Sequence, residues 1–392
     1  MVNYQELYDC NVLSTYQRYP VSFAKGKGCR LWDAEGKEYI DFAAGIGVSS
    51  VGYAHPDWVA AVSSQASELA HVSNLFYTLP GGRLAQRLCL ISGMGGAFFS
   101  NSGAEANEGL FKLARKYSLA KHGEGRSTIL TLTGSFHGRT ITALAATGQE
   151  RFHQNFGPFT PGFRHVPPGD VEALVKEAAL KDVCALLLEP IQGEGGVNLL
   201  ESDYVRKAQA ICAEHDWLLL FDEVQTGIGR TGHWFGFQDM GVMPDALSFA
   251  KGIAGGLPMG GFLVSERLKG VLAQGDHATT FGGNLVCAAA ALATLDILEP
   301  ILPQVIENGE YIRTRIEEMK LPCVGEIRGK GLMIGVKIDG PSPASVNSKL
   351  LQAGVVCLTA GSDVIRLLPP LVIGKDDINA GLEIFEHVLK NI

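Results

Sequence analysis

Two residues in this chain ask for a particular chemistry. Asp222 ends the apolar run WLLLFDEVQ, and Lys251 follows the run DALSFAKG. A carboxylate and an amine at the ends of buried strands are costly unless they are paired or put to use. The two would serve as an ordinary buried salt bridge, and they would also serve one cofactor. Pyridoxal phosphate needs a lysine to hold its aldehyde as a Schiff base and an acid to keep its pyridine nitrogen protonated. In that use Lys251 is first the nucleophile and then the general base that moves a proton. Asp222 keeps the ring an electron sink. Gln225, three residues further on, is placed to hydrogen-bond the ring's phenolic oxygen.

Other motifs sit where a strand gives way to a turn, which is where parallel α/β sheets place ligands. In FFSNSGAEANEGLFKLARKY a strand ends at Ser100, Ser102-Gly103-Ala104 forms a small polar turn, and a helix begins. Free N–H groups and the helix dipole make such a turn a phosphate cradle, although the same residues suit an ordinary N-cap. In TGSFHGRT, Phe136 offers a face for stacking on an aromatic ligand and Arg139 a bidentate grip on a carboxylate. Taken singly, a phenylalanine is more often core and an arginine more often solvated, and His137 reads as structural. LLLEPIQGEGGV sets Glu189 and Glu194 among glycines, acids that can answer a mobile arginine or simply face solvent. HATTFGGN brings Thr279 and Thr280 ahead of a helix capped by Asn284, as phosphate or substrate ligands or as caps. Arg366, inside the apolar run VIRLLPPL, calls for an anionic partner.

Two look-alikes fall away. GIGRTG, at 227–232, satisfies the dinucleotide pattern in letters, but no helix opens at its glycines. GEIRGKG is one residue short of a phosphate loop and has no Ser or Thr after its lysine.

The elements that must position these residues follow from periodicity. Short apolar runs alternate with helical patterns through the middle of the chain, the mark of a largely parallel α/β sheet. The expected strands are Ala97–Ser100, Thr128–Thr131, Ala185–Leu188, Leu218–Phe221, Ala246–Phe249 and Phe262–Val264. Helices are expected at Glu105–Lys121, Val171–Leu180 and Asp203–His215. GCRLWDAEGKEYIDF reads as a hairpin turning near Glu35-Gly36. After a helix at Leu285–Leu298 the pattern changes to a helix at Ile306–Met319, a hairpin at Glu326–Ile338, a helix near Ser345–Leu351 and a last helix after Asp376. Residues 1–55 are expected to pack with a small C-terminal domain at 290–392, and residues 56–289 to form a large α/β domain.

With 392 residues the chain can bury a large core. A net charge of −8, without basic blocks, argues against nucleic acid as a partner. The opening MVNYQELYDC has neither a basic n-region nor an apolar h-region, so no secretory signal is expected. The alanine-rich stretch Val286–Ala293 is too short to span a membrane. Eight cysteines are scattered without CxxC or Cys/His spacing, which suits reduced thiols rather than a metal site. The expectation is a soluble, cytoplasmic protein.

Taken together, SGAEANE, FHGRT, LEPIQGEGG, LFDEVQTGIGRTG, DALSFAKGIAGGLPMG and TTFGGN resemble the class III, or omega-type, pyridoxal-phosphate aminotransferases, in family order and over nearly the whole chain. The branch it resembles most acts on N-acetyl-L-ornithine with 2-oxoglutarate in bacterial arginine biosynthesis. The resemblance implies a fold-type I α/β transferase, with a mostly parallel seven-stranded sheet between helices and a smaller α+β C-terminal domain. It also implies a homodimer with active sites at the subunit interface. Lys251 would carry pyridoxal 5′-phosphate and Asp222 would pair with its ring nitrogen. Phe136 would stack on the ring, and Ser102, Gly103 and Ala104 would hold the phosphate together with Thr280 from the second subunit. Glu223, Val224 and Gln225 belong to the same cofactor segment. Arg139, Thr279 and Tyr16 would face substrate. Arg366 would take the carboxylate of 2-oxoglutarate, and Glu194 would mask it when an amine donor is bound. Where ornithine-specific relatives carry a tyrosine, this chain aligns Ile46, which suits an acylated donor. N-succinyl-diaminopimelate, ornithine and 4-aminobutyrate remain alternative donors. An aminomutase and a non-catalytic cofactor binder are the rival classes.

Overall fold

The computed structural model describes residues 4–392. Its centre is a seven-stranded sheet in the order Gly96–Ser100, Gly260–Val264, Ala246–Phe249, Leu218–Asp222, Val183–Leu188, Thr128–Leu132, Phe163–Val166. From Ala246–Phe249 to Phe163–Val166 every neighbour pair is parallel, while Gly260–Val264 runs antiparallel to both its neighbours. The central strands Val183–Leu188 and Leu218–Asp222 are buried at every position, as a sheet covered on both faces requires. The expected strands are all present, each within two residues of its expected start and one of its end. Phe163–Val166 was not foreseen, because FRHV is a half-exposed edge strand with two polar residues and no apolar run.

Helix Gly103–His122 starts on a designed cap. Ser102 Oγ accepts the Glu105 N–H at 3.2 Å, and Glu105 Oε2 accepts the Asn101 N–H at 2.6 Å. The apolar helix Leu285–Leu298 begins at Asn284, whose Oδ1 accepts the N–H groups of Val286 and Cys287. By length and composition Leu285–Glu318 would cross a membrane, yet here a 3-10 turn at Glu299–Ile301 breaks it. Ala288, Ala291, Leu295 and Leu298 are buried, and the helix packs on Pro56–Glu68 and Leu79–Ser92.

The ends of the chain meet. Strands Phe23–Lys27, Arg30–Asp33 and Glu38–Asp41 form an antiparallel ribbon, and Val355–Val356 pairs in parallel with its inner strand. A second, antiparallel sheet joins Val324–Lys330, Met333–Ile338, Val364–Leu367 and Leu358–Ala360. The strand carrying Arg366 is fully buried in it.

Candidate active site

Lys251, Asp222, Glu189, Phe136 and the start of helix Gly103–His122 all open into one cavity of about 400 Å³ at the carboxyl edge of the large sheet. Each lies at or shortly after a strand end, the edge at which such sheets place ligands. Lys251 has φ of +46°, a left-handed conformation that a non-glycine residue adopts only when its surroundings hold it there. Burial pulls its amine down to about 8, although Glu194, Asp222 and Glu189 oppose the shift.

Asp222 is clamped on both oxygens. Oδ2 accepts from Asn107 Nδ2 at 2.7 Å and faces His137 Nδ1 at 2.8 Å, while Oδ1 accepts the Val224 N–H at 3.0 Å. Asn107 also donates to the His137 carbonyl at 2.8 Å. Sequence reasoning missed both orienting residues. Asn107 lies on the buried face of its helix, and His137 is fully buried beside the acid rather than being a remote structural residue. The one available signal was that both lie within motifs already singled out. Asn107→Ala leaves a buried charge with one donor fewer, which costs about 1.5–3 kcal/mol. The expected result is a kcat reduced by roughly tenfold or more, measured beside an unchanged fold by circular dichroism.

The wall opposite is built by close approach. A Cβ on Gly103 would fall 2.7 Å from Val224, so only glycine lets the helix start sit against the Asp222 turn. Gly103 and Ala104 supply first-turn N–H groups that a helix leaves without internal partners, and the Ser102 hydroxyl is spent as the cap. Phe136 lines the cavity, and its N–H donates to Glu189 Oε1 at 2.9 Å. Burial, then repulsion from Asp222, pushes the Glu189 carboxyl well above the usual carboxylate range. The Arg139 guanidinium lies 5.3 Å from the Phe136 ring centre and 4.2 Å from that of Phe152, with no carboxylate paired to it among the described residues.

Arg366 does not itself line the cavity; it is buried behind two residues that do, its Nη1 donating to Glu194 Oε1 at 2.7 Å and Gln225 Oε1 at 3.0 Å. Burial opposes ionisation of Glu194, but Arg366 and Lys251 outweigh it and hold the carboxyl below its ordinary value. The arginine therefore has the anionic partner its apolar strand demanded, and that partner lies on a loop rather than in the core.

Besides Arg366, four expected site residues do not line this cavity. Glu223 is the clearest correction: successive side chains alternate, so it points away from Asp222. Its carboxylate accepts from Gly236 N at 2.9 Å, Phe237 N at 2.8 Å and the Thr226 hydroxyl, and burial pushes it up to about 7. Thr279 accepts from Asn101 Nδ2 and Gly282 N, and with Thr280 it borders a different hollow beside Ser73–Leu75. Tyr16 is 75 % exposed, with the Arg18 guanidinium 5.8 Å from its ring. Ile46 is also exposed, at φ of +68°, while Val48 two residues on lines the cavity.

These residues fit pyridoxal phosphate on the cavity's own terms. It holds an unspent helix N-terminus for a phosphate, an aromatic face, a carboxylate fixed by three donors, and a buried lysine of lowered basicity. A buried lysine and acid facing one enclosed space define a site for amine chemistry, and the chain belongs to the class III aminotransferases, whose family profile matches residues 13–389. It is 48% identical over 387 residues to the acetylornithine aminotransferase of Haemophilus ducreyi, covering 98% of each chain. It is 45% identical to that of Caldanaerobacter subterraneus, covering all of both. Among solved structures, the ornithine aminotransferase of Toxoplasma gondii aligns with a TM-score of 0.95 at 32% identity, covering 100% of this chain and 96% of that one. The acetylornithine aminotransferase of Elizabethkingia anophelis aligns with a TM-score of 0.87 at 32% identity, covering 99% and 98%.

Proposed function

We propose that this chain transfers the δ-amino group of N-acetyl-L-ornithine to 2-oxoglutarate, giving N-acetyl-L-glutamate 5-semialdehyde and L-glutamate, a step of arginine biosynthesis. The observation that carries the reading is the Glu194–Arg366 pair beside Lys251. One pocket must accept an amine-bearing donor in one half-reaction and a dicarboxylate in the other, and an exchangeable ion pair permits both. With Glu194 on Arg366, that guanidinium's charge is answered and is not offered to the donor. When the dicarboxylate arrives, its carboxylate replaces Glu194 and takes the bidentate fork.

Bound pyridoxal phosphate supplies an electron sink for the carbon that loses its proton. The chain's own residues do the rest. Lys251 Nζ is placed to take the proton from the donor's δ-carbon in the first half-reaction and to deliver one to the acceptor's α-carbon, which becomes that of L-glutamate, in the second. Asp222, fixed by Asn107, His137 and the Val224 N–H, would keep the ring nitrogen protonated. Gly103 and Ala104 would hold the phosphate, Phe136 and Val224 would pack on the ring, and Gln225, which also accepts from Arg366, would hydrogen-bond its phenolic oxygen. Arg139, with no internal carboxylate, takes the donor's α-carboxylate.

A second copy completes the site in this reading. Leu75, 88% exposed, borders the same hollow as Thr279 and Thr280, and Phe76, Tyr77 and Phe281, neighbouring positions in sequence, are exposed too. Covering such a patch by a homodimer buries it and delivers Thr280 of one copy to the phosphate of the other. The same contact gives Thr279 and Tyr16 their access to substrate. We place the enzyme in the cytoplasm, where eight free thiols are at home.

The test is single turnover. Purified enzyme carrying its cofactor is mixed with N-acetylornithine, ornithine, succinyl-diaminopimelate or 4-aminobutyrate, and the visible absorbance of the lysine-bound cofactor is followed. N-acetylornithine should bleach it fastest, and 2-oxoglutarate should restore it. Faster bleaching by another donor would overturn the substrate and leave the reaction class in place.

A further inference from the structure

Lys251 is not held by its own strand alone. The residue that follows it is gripped from a segment some two hundred residues away, where the Ser50 hydroxyl donates to the Gly252 carbonyl at 2.7 Å. Ser50 is 1% exposed, and a Cβ on Gly252 would lie 3.4 Å from the serine's own Cβ, in ordinary van der Waals contact, so the two segments pack directly against each other.

The segment that delivers Ser50 is itself unusual. Ala44, Gly45, Ile46 and Gly47 have φ of 46°, 60°, 68° and 75°, four successive left-handed residues of which two are not glycine. Left-handed turns of L-residues are disfavoured and persist only when over-determined. Here the buried Asp41 does so. Its Oδ1 accepts the Ala43 N–H at 2.8 Å, both oxygens accept the Ala44 N–H at 3.0 Å, and Tyr53 donates its hydroxyl to Oδ2 at 2.7 Å. The far side is tied too: Leu368 N–H donates to the Phe42 carbonyl, and Leu371 N–H to that of Ser50 at 2.7 Å. Both ends of the turn are therefore pinned, and Val48 between them lines the cavity.

We propose that Ser50 is a positioning residue for Lys251, the left-handed turn locked by Asp41 delivering its hydroxyl to the peptide beside the lysine so that Nζ stays in line for capture and proton transfer. Strain in two places, at Ala44–Gly47 and at Lys251, meets at this one hydrogen bond. A buried hydroxyl with a purely structural task would have no need of a strained carrier. The inference rests on Lys251 being the reactive amine.

The experiment compares Ser50→Ala with Ser92→Ala, which removes an equally buried hydroxyl–carbonyl bond, to Leu88, away from the cavity. Two quantities are read: kcat and KM in steady state, and the rate at which visible absorbance forms when pyridoxal phosphate is added to cofactor-free protein. For Ser50→Ala, kcat and the capture rate should each fall about tenfold with KM held, the signature of a misplaced reacting group. Ser92→Ala should change neither, and Ser50→Cys, which keeps a donor at that point, should lie between Ser50→Ala and the parent. Ser50→Ala behaving like Ser92→Ala, or Ser50→Cys matching Ser50→Ala, overturns the proposal. A Lys251→Ala protein that still turns over would instead overturn the reading on which it rests.

Discussion

Lys251→Ala gives a folded protein without transamination, with activity more than about a thousandfold below the parent, since the nucleophile and the general base vanish together. The measurement is turnover of N-acetylornithine with 2-oxoglutarate, alongside the visible absorbance after incubation with excess cofactor. Neither turnover nor the lysine-dependent band should appear, and full retention of turnover would sink the assignment. The parent carries a companion signature. Burial lowers the Lys251 amine to about 8, so the neutral form is present above that pH and is lost as pH falls through it. Acylation of Lys251 in cofactor-free protein, followed by mass spectrometry, should therefore be half-maximal near pH 8, below the range of exposed lysines.

Asp222→Ala is the second large effect. With no carboxylate at that point, nothing holds the proton on the cofactor's ring nitrogen, and the carbon acid loses its sink. A loss of about 3–4 kcal/mol of transition-state stabilisation corresponds to a kcat lower by roughly two to three orders of magnitude. The substitution also strands Asn107 Nδ2 and His137 Nδ1, so the thermal midpoint should fall as well. Asp222→Asn separates the two consequences. It keeps the side chain's size and one accepting oxygen, which can still take the Asn107 and His137 donors while its NH2 meets the Val224 N–H, so the midpoint should recover in part while kcat stays low. Recovery of kcat by Asn would show that the negative charge is not what the reaction uses.

Much of this site was legible before any fold was known. Lys251, Asp222, Phe136, Gly103, Glu194 and Arg366 each stand at a local feature, a strand end, a glycine turn or a charge in an apolar run, and the structure brings the first five around one cavity, with Arg366 bonded to Glu194 behind it. Glu223 was misjudged because adjacency in a motif was taken for adjacency in space, whereas side-chain alternation at the strand end turns it to Gly236 and Phe237. His137 was underrated for the opposite reason: alone it is an unremarkable histidine, and its role exists only through the contact with Asp222.

What the sequence determined by itself is the set of elements and the residue types at their ends, because strand alternation, helix caps and glycine turns are encoded within a few neighbouring positions. Ser102 caps its helix, Asn284 caps another, and the buried runs fall where the sheet's strands lie. Only the tertiary structure decided which groups face one another. The Asn107–Asp222 contact spans 115 residues, the Glu194–Arg366 pair 172 and the Ser50–Gly252 bond 202. No local pattern sets such distances. They follow from the order in which strands enter the sheet and from the packing of the N-terminal ribbon on the C-terminal strands, which together place Val48, Glu194 and Lys251 around one cavity.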